Sequence, residues 1–175
     1  MSVNEVQVRR LTAAETEAAV DDLAEVLFDC VDGGASVSFM APLTRDEARA
    51  FFAGLVPELE AGTRVLLAAY DDGALVGTVQ LAHAWPPNQP HRADVTKLLV
   101  HRRARGRGVG RVLMEALEDE ARVDGKTLLV LDTVTGSPAY RLYVRLGWTE
   151  VGEIPDFALW PDGRLCATTV FYKRV

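Results

Sequence analysis

Apolar positions along this chain repeat with two periods, and the switches between the periods mark out its elements. Val6 and Val8 share one face of a short alternating run over 5–9, which predicts a first strand. Thr12 followed by Glu15 has the form of a capping box, and Ala19, Val20, Leu23, Val26 and Leu27 then recur at helical spacing until Asp32-Gly33-Gly34. Thr44 and Glu47 make a second box, opening a helix that runs through Phe51, Phe52 and Leu55. Residues 64–70 and 74–81 read as two strands joined at Asp71-Asp72-Gly73, a hairpin signal. A proline-bearing loop over 84–89 leads to another strand at 94–100. Val109, Val112, Leu113, Ala116, Leu117 and Ala121 form one helical stripe, stopped by Gly125, and the short apolar run 128–131 suits a buried strand. Ser137-Pro138 pairs an N-cap with proline at the first helical position, and Gly147 closes that helix. Two strands, 149–154 and 165–172, flank a turn at Pro161-Asp162-Gly163. The predicted order is β-α-α-β-β-β-α-β-α-β-β, a mixed α/β sheet in one domain spanning 1–175.

The segment Arg105-Gly106-Arg107-Gly108-Val109-Gly110 joins a predicted strand to a predicted helix. A glycine turn feeding a helix leaves backbone N–H groups without carbonyl partners at the positive end of the helix dipole, which makes a phosphate cradle. A P-loop would need Gly-Lys-Ser/Thr at its end, where Arg111-Val112 follow Gly110 here, and evenly spaced glycines do not fit the dinucleotide fingerprint G-x-G-x-x-G. Composition narrows the ligand. The chain carries a net charge of −6, yet 101–111 holds Arg102, Arg103, Arg105, Arg107 and Arg111 with no acid. A basic island in an acidic protein points to one local anion, and without interleaved aromatics it does not suit nucleic acid. No apolar run is long enough to span a bilayer, and Met1-Ser2-Val3-Asn4-Glu5 lacks the basic-then-apolar order of a signal peptide, so a cytoplasmic protein is expected. Cys30 and Cys166 have no metal-ligand spacing and read as buried free thiols; no metal site is expected.

The form Arg-x-x-Gly-x-Gly resembles the pyrophosphate signature of the GNAT superfamily of acetyl-CoA-dependent N-acetyltransferases, and the element order resembles that family's over essentially the whole chain. The resemblance implies a mostly antiparallel seven-stranded sheet flanked by helices. It assigns acetyl-CoA contacts to Leu98, Leu99 and Val100 on the strand before the turn, and to Arg105, Gly106, Arg107, Gly108, Val109, Gly110 and Arg111. It makes Tyr143, within Ser137-Pro138-Ala139-Tyr140-Arg141-Leu142-Tyr143, the acid that protonates the leaving thiolate; otherwise Tyr143 is a packed aromatic. A partly buried Asp132, closing the strand Leu128-Leu129-Val130-Leu131, would anchor or deprotonate the amine acceptor, unless it only caps the loop that follows. Asp94 and His91 are the rival bases, with His83 behind them. Phrases such as Asp32-Gly33-Gly34-Ala35-Ser36-Val37-Ser38-Phe39-Met40 and Asp94-Val95-Thr96-Lys97-Leu98 look most like the tabtoxin resistance protein group. Phe39 and Met40 would then either wall the acceptor pocket or tuck their loop onto the core. The expected activity is direct acetyl transfer to a primary amine of a small molecule, a toxin or antibiotic among the candidates. The alternative is an acyl-CoA-binding sensor without turnover. A homodimer is compatible with the sequence.

Overall fold

Both capping boxes form, each threonine accepting from the backbone of its glutamate while the glutamate accepts from the threonine N–H. The computed structural model describes residues 6–175; Glu5 of the predicted first strand and the segment read above for a leader lie outside the described residues. Each of the two early helices is broken. The first divides at Ala19 into α1 (Ala13–Ala18) and α2 (Val20–Asp32). The second divides at Gly54 and Leu55 into α3 (Arg45–Ala53) and α4 (Val56–Glu60), where Pro57 supplies no N–H to continue the ladder and sits in the first turn instead.

Asp72 and Gly73 join β2 (Arg64–Asp71) to β3 (Ala74–His83) with φ of +50° and +79°, positive at both central residues as the tight hairpin turn requires. With β1 (Gln7–Leu11), β4 (Arg92–Val100), β5 (Leu128–Val134), β6 (Thr149–Leu159) and β7 (Leu165–Arg174) these strands form one seven-stranded sheet, ordered β1-β2-β3-β4-β5-β7-β6. β6 runs past its predicted end, and as the edge strand it accommodates Pro155. Every pairing is antiparallel except β4 with β5, which are linked by the crossover helix α5 (Val109–Val123). The last helix, α6 (Pro138–Arg145), lies between β5 and β6 in the chain.

The β4–β5 pairing stops early. It covers Arg92 with Leu128, Ala93 with Leu129 and Asp94 with Val130, and no further. On its other edge β4 carries a bulge: Thr78 pairs Leu99 and Gln80 pairs Thr96, so Lys97 and Leu98 together oppose Val79. The sheet is therefore open between the C-terminal ends of β4 and β5.

Strand alternation sends the apolar side chains to two cores. Val65, Leu67, Val79, Leu81, Val95, Leu129 and Leu131 pack with Val109, Leu113 and Leu117 of α5. Leu66, Ala68, Leu75 and Leu99 pack with Leu23 and Leu27 of α2 and Phe52 of α3. α5 lies close on β3 because Gly77 has no side chain: a Cβ there would stand 3.0 Å from the Leu99 carbonyl oxygen and 3.1 Å from both Leu113 and Val109. Gly77→Ala should cost about 1–3 kcal/mol by overpacking. Thermal unfolding should then show Tm about 3–10 °C lower; an unchanged Tm would mean that α5 moves freely off the sheet.

Candidate active site

β4 ends at Val100, and His101 caps a single 3-10 turn, Arg102–Ala104, before the glycine turn. Gly106 and Gly108 have φ of +75° and +82°, and Gly108 is the N-cap of α5 with no side chain to cap it. The N–H groups of residues 106–110 meet no acceptor among the described residues. Added Cβ atoms on Gly106 or Gly108 would meet nothing within 4 Å, so the turn faces open space. Gly110 differs: a Cβ there would stand 3.0 Å from Leu142, and its missing side chain lets α5 pass close to α6.

The arginine island is largely compensated within the fold. Arg102 is bound to Asp29 at 2.5 Å and to Asp32 at 2.7 Å; Arg107 grips the buried Asp71 with both terminal guanidinium nitrogens; Arg111 meets Glu115 at 3.1 Å. Arg103 donates to the Leu75 carbonyl and Arg105 to that of Val100, each at 3.0 Å. The open turn presents main-chain amides, while Arg105 and Arg107 tie it to β4 and β2 and Arg111 pairs along α5.

Leu99 is buried, and Leu98 and Val100 lie half-buried against the α5 core, so the apolar side chains fix β4 while its edge toward β5 stays unpaired beyond Asp94. Cys30 and Cys166 are buried and free. Burial pushes the Cys30 thiol up, and its sulfur lies 3.6 Å from the Val100 carbonyl.

Across the gap, Ser137 accepts from the Tyr140 N–H at 3.1 Å and sets α6. α6 buries Tyr143 to 5% exposure beside Trp148 and Phe171, with ring centroids 5.9 and 6.0 Å away. No described group hydrogen-bonds its hydroxyl. Burial first, and the Asp132 charge second, raise this phenol well above its ordinary range, so it holds its proton at neutral pH.

Asp132 is exposed, not partly buried as the sequence suggests, because β5 has lost its β4 neighbour at that level and pairs only with β7. One carboxylate oxygen lies 3.0 Å from the Thr168 hydroxyl on β7. Since Asp94 pairs Val130, Asp132 two residues on shares its face, that of α1–α4, whereas Leu131 and Tyr143 belong to the α5 core. Asp94 is held by Arg92. His91 is exposed in the turn before β4, and His83 lies 3.0 Å from Asp124 after α5; both sit at the paired end of β4 and β5, away from the opening. The structure thus brings Asp132 and Asp94 to the gap and leaves both histidines out of it.

Phe39 packs edge-on against Phe51 of α3 at 5.3 Å, tucking its loop onto the core, while Met40 stays exposed. Beside them stands a residue the sequence does not single out. Lys97, in the β4 bulge with φ +52°, is half-buried; it donates to the Ser38 hydroxyl at 3.0 Å and lies about 6 Å from the Phe39 and Phe51 rings. Burial lowers its ammonium below the usual lysine range, opposed by Asp132 and assisted by Arg64. Only the bulge makes Lys97 visible, and an alternating strand pattern carries no signal for it.

No helix among the described residues is long and apolar enough to cross a membrane. Residues 27–148 match the Acetyltransferase (GNAT) family. A curated relative, an uncharacterised N-acetyltransferase encoded in the hisH–hisA intergenic region of Azospirillum brasilense, is 32% identical over 134 residues, covering 74% of this chain and 76% of its own. Among solved structures, an N-acetyltransferase from Staphylococcus aureus Mu50 superposes with a TM-score of 0.80 at 17% identity, over 98% of this chain and 99% of that one. A putative acetyltransferase from Salmonella typhimurium, solved with its cofactor acetyl-CoA, gives 0.79 at 21% identity, over 98% and 94%.

Proposed function

This chain belongs to the GNAT acetyltransferase family, and from that premise we propose that it transfers the acetyl group of acetyl-CoA directly to a primary amine of a small molecule. The observation that carries the proposal is the opening between β4 and β5, with free amides of 106–110 beyond one strand and Asp132 on the other. Five consecutive unpartnered donors at a helix N-terminus fit a pyrophosphate, and the unpaired edge of β4 fits an amide-bearing arm such as pantetheine.

Bound acetyl-CoA supplies a thioester carbonyl open to attack by an uncharged amine. The amides of Gly106, Arg107, Gly108, Val109 and Gly110 hold the pyrophosphate; Leu98, Leu99 and Val100 keep β4 rigid while its main chain orients the arm. Asp132 takes the acceptor's ammonium as a hydrogen-bond partner and receives its proton, since a protonated amine has no lone pair to attack with. Tyr143, kept protonated by burial, gives its proton to the leaving sulfur. Neither buried cysteine, Cys30 or Cys166, lies in the glycine turn or on α6, so the proposed transfer is direct and passes through no acyl-enzyme.

Purified protein with acetyl-CoA should release free thiol on a panel of primary amines, toxin and antibiotic amines included. Tight CoA binding with no thiol release across the panel would favour a sensor. Asp132→Asn should lower kcat/KM by about 10²-fold or more, and the acid limb of its pH profile should move toward the pKa of the free acceptor amine. Asp94→Asn should do much less, because Asp94 is already engaged by Arg92. A profile unmoved in Asp132→Asn and moved in Asp94→Asn would transfer the base role to Asp94.

A further inference from the structure

We propose that Lys97 binds a carboxylate on the acceptor, and that the acceptors are therefore amino acids rather than simple amines. The proposal rests on the amine-acetylating activity above and adds the class of acceptor.

Lys97 stands in the bulge of β4, beside the opening and on the α2–α3 side, since its ammonium meets Ser38 and the Phe39 and Phe51 rings. Asp132 projects from β5 on that same side. A half-buried ammonium ordinarily has a carboxylate against it, because removing a lone charge from water is costly. Among the described residues Lys97 has none within ion-pair distance; its ammonium donates to the Ser38 hydroxyl, with the Phe39 and Phe51 rings about 6 Å away. Asp132 acts on it through space without touching it. The backbone adds a second mark: a left-handed φ of +52° is unfavourable for any residue with a Cβ, and here it aims a lysine.

An independent observation lies across the same bulge. Gln80, which pairs with Thr96, is 1% exposed; its carbonyl accepts from Arg64 at 2.9 Å, but its amide nitrogen has no partner among the described residues. That donor belongs to the residue paired with Thr96, next to Lys97 in the chain, and a buried donor left open near a cation with no carboxylate at ion-pair distance marks a place for an anion. Lys97 and Asp132, apart but electrostatically coupled, would take the two ends of one zwitterion: the carboxylate on Lys97, the ammonium on Asp132. Asp132 on β5 and Arg64 on β2, the latter paired with Glu58 of α4, are the charged groups that face Lys97.

The test compares thiol release with L- and D-amino acids against the same compounds as amides and as decarboxylated amines. The parent should favour the carboxylate forms by about tenfold or more in kcat/KM, the worth of one charge-assisted hydrogen bond. Lys97→Met should bring that ratio close to one, and Lys97→Arg should restore part of it. A parent without preference, a preference that survives in Lys97→Met, or an equal loss on charged and neutral acceptors as expected of a general base, would each overturn the proposal while leaving amine acetylation standing. If nothing on the panel releases thiol, amine acetylation fails, and Lys97 is then judged by binding. Its Cε resonance in lysine-labelled protein, followed against pH with CoA present, should show a higher titration midpoint with millimolar amino acids or N-acetylamino acids than without. A midpoint unmoved by all of them overturns the proposal.

Discussion

Gly108→Asp is expected to abolish CoA binding, with calorimetry finding affinity at least about 100-fold weaker and far-UV circular dichroism unchanged. The residue caps α5 at φ +82°, a conformation aspartate tolerates better than most residues, so the helix should still form. The damage is local and electrostatic. The new carboxylate would accept from the amides that now point into open space, and it would set a negative charge where the pyrophosphate must sit. Gly106→Ala is the companion variant, adding backbone strain at φ +75° without charge, and it should lose much less affinity. Retention of CoA within a few-fold by Gly108→Asp would place the pyrophosphate elsewhere.

Tyr143→Phe should reduce kcat by about 10²–10⁴-fold, the span of general acid catalysis, with little change in KM for acetyl-CoA. Because the hydroxyl has no partner among the described residues, its removal should not lower Tm at neutral pH. The raised pKa also fixes what happens in alkali. A phenol that stays protonated in the folded chain but ionises near pH ~10 when unfolded binds more protons folded than unfolded above that pH. Its contribution to stability therefore falls as pH rises past that point. The phenylalanine variant lacks this loss, so above pH ~10 its Tm should overtake the parent's. Tyr143 should likewise impose no decline on the parent's kcat below that pH. A variant as active as the parent would return Tyr143 to being a packed aromatic.

Much of the fold was legible because its signals are local. Thr12 with Glu15, Thr44 with Glu47, Asp72-Gly73 and Ser137-Pro138 each specify their turn or cap from neighbouring residues alone, and each forms as read. The left-handed turn at Gly106 and Gly108 was readable for the same reason. What escaped depends on residues distant in the chain. The arginine island looks uncompensated until Asp29 and Asp71, contributed from α2 and β2, are brought against Arg102 and Arg107. Asp132 reads as partly buried until the β4–β5 pairing is seen to end two residues earlier. Lys97 is one more polar residue in a strand until the bulge turns it; the break at Ala19 has no marker in the sequence at all.

The sheet's opening has a thermodynamic side. Hydrogen bonding along β4 is left unfinished where β5 departs, and on the mechanism proposed above the donor substrate fills that place like a short extra strand. The stability of the enzyme then becomes a function of metabolite concentration. Donor at 100 times its Kd would add about 2.7 kcal/mol to the folded state, a substantial share of what holds a domain together. The starved enzyme would be the fragile one, and its turnover in the cell would follow the supply of the molecule it consumes.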